Sequence, residues 1–201
     1  MTAGQKTKGK TPIYIGEERE VEVERQIYTV LPKGFNPAMY SFGCPIGQVV
    51  CGQLAEIHKE FSIRNVFVAI PYSDYDYEDT IKEVLVESGL SPKLAKDKIH
   101  SKILLCKVCK EIRKCNHGVV DISKSNLNVI YELGLMQSLG IKCAVLFQEG
   151  SERPTDLQGI ENVLYNDDKK LQLDLARWIQ HNVIESDTEK VKKLIKTLSA
   201  K

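Results

Sequence analysis

Glu132 sits where an idle carboxylate is costly. Leu135, Met136 and Leu139 follow it at i+3, i+4 and i+7, so a helix through this segment sets a charge among apolar side chains. Burying such a group is unfavourable unless it has partners or a task. Burial also raises a carboxyl pKa, which suits a group that must exchange protons or stabilise positive charge. A bland reading stands beside this one. In it, Glu132 lies at the edge of a sheet and caps a neighbouring backbone or pairs with a lysine.

The residues before Glu132 add to the case. A strand is expected to end at Asp121 or Ile122, and Ser123-Lys124-Ser125-Asn126 is a polar loop rich in helix-capping types. A helix is then expected over 128–139, stopped by Gly140. Its free N–H groups would suit an anion such as a phosphate, with Ser123, Ser125, Asn126 and Asn128 as binding residues. Asn128 stands one turn before Glu132.

The elements that must position these residues follow from periodicity. Val66-Phe67-Val68-Ala69-Ile70 is a continuous apolar run, as in a strand buried on both faces. Pro71-Tyr72-Ser73 opens the loop behind it. Helices are expected over 79–88, 99–115 and 171–183. Strands are expected near 93–96 and over 117–122, 142–147 and 160–165. This alternation from Asn65 to Val183 predicts an α/β domain with a parallel sheet and helices on both faces. Ligands bind such sheets beyond the carboxyl ends of the strands, where strand order reverses. That rule singles out Pro71, Tyr72 and Ser73 after the first strand and the loop from Ser123 after the third. Residues 1–10 read as a disordered tail. Residues 11–64 read as an extension with short strands at 12–16 and 21–31, a turn at 32–37 and a helix over 49–61. The domain proper is set at 65–185, with a charged helix over 186–201.

Three stretches carry a family likeness: Phe67-Val68-Ala69-Ile70-Pro71-Tyr72, Asp121-Ile122-Ser123, and Asn128-Val129-Ile130-Tyr131-Glu132-Leu133-Gly134-Leu135. Together they resemble the nucleoside 2-deoxyribosyltransferase-like superfamily, whose layout the TIR-like nucleotide-binding proteins share. Pro154 to Ile160 fits as the loop before the last strand. The resemblance implies a flavodoxin-like five-stranded sheet and a site for a nucleoside, nucleotide or NAD. It also implies that Glu132 acts at C1′ of the ribose while an N-glycosidic bond breaks. A carboxylate can stabilise the oxocarbenium-like state or form an ester with it. An acid must help the base leave, and Asp97 and Asp121 are the candidates. An active site completed by a second subunit is common in the resembling enzymes, so a homo-oligomer fits. The competing reading is a non-catalytic nucleotide-binding signalling module that uses the same pocket.

Composition narrows the rest. The 201 residues carry 28 Lys and Arg against 27 Asp and Glu, a balance that points to no nucleic acid or membrane partner. No apolar run follows Met1 to Lys6, so neither a secretory signal nor a membrane span is expected, and the chain is placed in the cytoplasm. The six cysteines are then thiols or metal ligands rather than disulfides. Cys106 and Cys109 have C-x-x-C spacing, with Cys115 beyond them and Cys44 and Cys51 upstream. Cys109, however, belongs to the helix stripe of Leu105, Val108 and Ile112, and paired zinc knuckles are missing. The chain is therefore expected to fold without metal, and no cofactor is called for. His117 reads as structural. Tyr75 and Tyr77 read as part of a solvated loop in preference to a base pocket, and the lysines of 190–201 as a solvated helix face.

Overall fold

Five segments become strands of one sheet: β1 (Asn65–Ala69), β2 (Ser91–Lys93), β3 (His117–Asp121), β4 (Lys142–Gln148) and β5 (Val163–Tyr165). The computed structural model describes residues 54–71, 75–94, 104–152, 157 and 162–200. The readings made for residues 1–53, for Tyr72, Ser73 and Asp97, and for the loop at 154–156 lie outside the described residues. All strand pairs are parallel, in the order β2-β1-β3-β4-β5. That order is flavodoxin-like, and its switch point lies between β1 and β3. Every residue of β1 and β3 is buried, because a parallel sheet is covered on both faces.

Helices join the strands: α1 (Leu54–Glu60), α2 (Glu78–Glu87), α3 (Leu104–Arg113), α4 (Leu127–Ser138), α5 (Asp168–Asn182) and α6 (Thr188–Ser199). On one face, Val66, Val68 and Ile70 of the first strand and its exit pack with Val119, Ala144, Leu146, Val163 and Tyr165. They meet Ile81 and Leu85 of α2 and Leu171, Leu175 and Ile179 of α5 in a single cluster. The alternation of side chains along a strand sends the intervening residues to the other face. There α4 packs on β1, β3 and β4, with α3 beside it and α1 against α3.

The differences from expectation lie at element ends. β2 falls at Ser91–Lys93 rather than 93–96, because the chain turns at Gly89 (φ +77°) and pairs at once with Asn65 to Phe67. The proline in this edge strand costs no ladder bond on its open side. β5 spans Val163–Tyr165, and residues 160 and 161 of the expected strand lie outside the described residues. The charged C-terminal segment is more than a solvated tail: Val191 of α6 is fully buried in the main cluster, with Leu194 and Ile195 against it. Among the described residues no helix is long and apolar enough to cross a membrane.

Gly118 explains how closely α4 sits on the sheet. A Cβ there would come 2.6 Å from Met136 Sδ and 2.8 Å from Cys143 Sγ. Gly118→Ala should therefore destabilise the fold by about 1–3 kcal/mol through overpacking. Urea midpoints measure this, and an unchanged midpoint would mean that the Met136 and Cys143 side chains move aside at no cost.

Candidate functional site

The Glu132 side chain is 6% exposed. It makes no hydrogen bond or ion pair among the described residues, and its oxygens are not wholly sealed from solvent. Burial alone pushes its carboxyl up to about 7. The capping or lysine-paired role is therefore not what the described surroundings supply. Cα–Cβ bonds tilt toward a helix N-terminus, so the Glu132 side chain leans back toward the loop at the carboxyl end of β3. Val129, Leu133 and Met136 are buried on the same helix, whereas Asn128, in the first turn, is exposed. Asn128 and Glu132 thus share a helical stripe but not an environment.

Asp121 closes β3 with no solvent exposure and a full set of donors. Oδ2 accepts from the hydroxyls of Tyr75 and Tyr165, both at 2.6 Å, and Oδ1 accepts from the Ser123 amide at 2.8 Å. Burial, and next to it the Asp121 charge, push both tyrosine hydroxyls far above their ordinary range, so they remain donors. The Ser123 hydroxyl accepts from the Gln148 amide at 2.7 Å and lies 3.3 Å from the Tyr165 hydroxyl. Gln148 in turn reaches the Tyr77 hydroxyl at 3.3 Å. Tyr77 meets the ring of Tyr165 edge-on at 4.9 Å.

Side-chain alternation separates the two carboxylates. Asp121 is in phase with Val119, and its hydroxyl partner Tyr165 lies in the cluster beneath α2 and α5, whereas Glu132 belongs to α4 on the opposite face. They approach the switch point from the two sides of the sheet.

The loop between them is also committed. Asn126 is the N-cap of α4, its side-chain oxygen accepting from the amides of Asn128 at 3.0 Å and Val129 at 3.4 Å. An anion at this helix end would have to share those amides with Asn126. Ser125 is exposed, Ser123 is buried, and Pro71 is buried at the exit of β1. Asn126→Ala should cost about 1 kcal/mol, the usual value of such a cap. A thermal melt tests it, and no change would mean that water replaces the side chain without loss.

Tyr75, Tyr165 and Gln148 were not among the expected site residues. Tyr75 is a hydroxyl partner of a buried aspartate rather than part of a solvated loop. One signal was legible for Tyr165: it ends the last strand in phase with inward-facing Val163. Among the described cysteines, Cys109 and Cys115 are buried, and Cys109 Sγ accepts from Arg113 at 3.3 Å. No group of metal-ligating side chains gathers among the described residues. His117 is buried at the far end of β3, its pKa lowered by burial, 3.9 Å from Glu185.

Fold and site together define a flavodoxin-like α/β domain with a buried glutamate, unpartnered among the described residues, on the helix that follows β3. No protein-family model matches the chain, and no curated protein sequence does. Among solved structures the chain is similar to the TIR domain of the Toll-related receptor TRR-2 from Hydra magnipapillata. That likeness is at 13% identity and a TM-score of 0.49, over 58% of this chain and 95% of the other.

Proposed function

We propose that this protein binds a nucleoside, nucleotide or NAD and cleaves or transfers at its N-glycosidic bond, with Glu132 acting at ribose C1′. The buried carboxylate, unpartnered among the described residues, carries the reading, because a desolvated charge suits a group aimed at transient positive charge. As the C1′–N bond breaks, its electron pair leaves with the base. The cation left on the sugar is stabilised by the Glu132 carboxylate, or captured as an ester, until water or a second base adds. A pyridinium base such as nicotinamide leaves neutral and needs no acid. Other bases need a proton; of the two candidate donors, Asp97 and Asp121, the latter has both oxygens taken as acceptors, which leaves Asp97 as the proposed acid. Pro71, Tyr72 and Ser73 after β1, and Ser123, Ser125, Asn126 and Asn128 after β3, are proposed to line the substrate.

A second reading has one observation in its favour. Both oxygens of Asp121 are taken by donors, so that carboxylate suits holding a position better than passing a proton. A nucleotide-binding signalling module without catalysis would use the same edge of the sheet. The test is a mass-spectrometric screen for free base after incubation with nucleosides, deoxynucleosides, nucleoside monophosphates and NAD. Release of base by the wild-type chain supports catalysis. No release from any of them, together with thermal stabilisation by one of them, makes the binding module the better reading.

A further inference from the structure

The Asp121 cluster joins three segments that sequence alone leaves apart. Tyr75 belongs to the lead-in to α2, Ser123 to the lead-in to α4, and Tyr165 to the end of β5. One carboxylate with no solvent exposure accepts from all three. Bonds from neutral donors to a buried charge are the stronger kind, and here they replace all the water the carboxylate would otherwise hold. Ser123 carries the tie onward, since its hydroxyl takes the Gln148 amide at the end of β4. From Ser123 only a short capped turn leads into α4, and Gly118 lets that helix sit tightly on β3.

We infer that Asp121 is a positioning residue: through Tyr75 and the Ser123 amide it clamps the lead-ins to α2 and α4 to the end of β3, and so sets where Glu132 stands. This deepens the reading of Glu132 given above and rests on it. Asp121 acts from the opposite face of the sheet, through the backbone, without touching substrate. Tyr75 and Tyr165 serve as its donors. Small displacements of a reacting group are costly, roughly 100-fold for 1 Å, so a clamp at the helix lead-in matters to turnover.

The test compares the full wild-type chain with three variants. Tyr75→Phe/Tyr165→Phe keeps both rings and their packing but leaves one buried Asp121 oxygen without a donor. Asp121→Asn keeps an oxygen for the Ser123 amide, while its NH2 group can donate to the tyrosine hydroxyls, which turn to accept. Glu132→Gln is the control. Amide hydrogen exchange is read over 75–78, over 122–128 and over α5 and α6, beside kcat and KM for base release from NAD. In the double phenylalanine variant, exchange at 75–78 and at 122–128 should quicken at least about 5-fold with α5 and α6 unchanged. Its kcat should fall about 10-fold with KM nearly constant. Asp121→Asn should show wild-type exchange at 75–78 and 122–128. Glu132→Gln should lose turnover with exchange as in the wild type. Unchanged exchange at 122–128 in the double variant, or a rise spread evenly over the whole sheet, would overturn the clamp. If the wild type releases no base, the catalytic reading fails by itself, and the exchange results still decide whether Asp121 holds the two lead-ins.

Discussion

Glu132→Gln should reduce base release roughly 100- to 1000-fold, the usual cost of removing one electrostatic stabiliser of a transition state. The same substitution should change how stability depends on pH. Burial raises the Glu132 carboxyl from 4.5 to about 7 in the folded chain. The folded state therefore holds this proton more tightly than the unfolded state does. The group costs the fold nothing below the unfolded pKa. Stability is then lost as pH rises from about 4.5 through about 7, and the loss is complete above that. A shift of this size corresponds to about 3 kcal/mol. Glutamine does not titrate. The stability of the glutamine variant relative to wild type should thus improve by about 3 kcal/mol between pH 4 and pH 8, whatever fixed cost the amide adds. For a chain of this size that is a relative Tm gain on the order of 5–10 °C. Parallel stability curves for the two proteins across this range would mean that Glu132 is solvated or paired, and the assignment would fall. Wild-type turnover should follow the same titration from the other side, rising with pH through about 7 as the carboxylate forms. A residue that destabilises its fold at the pH where it works is a familiar signature of function over stability.

Asp121→Ala should be among the most damaging substitutions in the domain, costing about 4 kcal/mol or more. It removes the acceptor for two tyrosine hydroxyls and one backbone amide, all within 2.8 Å, at a site with no solvent exposure. Each donor left unpaired pays its desolvation cost, and the cavity adds to it. Against a usual total of 5–15 kcal/mol, such a loss brings a domain near unfolding at ordinary temperature. Urea denaturation followed by circular dichroism measures the effect. A midpoint within a few tenths molar of wild type would show that water enters and satisfies the three donors, so that the cluster is not sealed.

These two carboxylates mark where sequence reasoning reached and where it stopped. The α/β class, the parallel sheet and the order of its elements were legible because buried parallel strands are short continuous apolar runs, and amphipathic helices repeat every three to four residues. Glu132 was legible for the same local reason, since a charge at i among apolar residues at i+3, i+4 and i+7 violates a pattern contained within one helix. Gly140, at φ +70°, was legible as the stop of α4 because only glycine takes that backbone conformation at little cost. Element ends were less well placed. The start of β2 depends on its register with Asn65 to Phe67, and the burial of Val191 depends on α6 folding back onto the core. The partners of Asp121 were out of reach. Tyr75 and Tyr165 lie 46 and 44 residues from it, and nothing local tells a tyrosine that will donate to a buried charge from one on a wet loop. Nor does local sequence say which face of the sheet each helix covers. Only the crossovers put Asp121 and its tyrosines on one side and Glu132 on the other, leaving one carboxylate fully hydrogen-bonded and the other with no partner among the described residues.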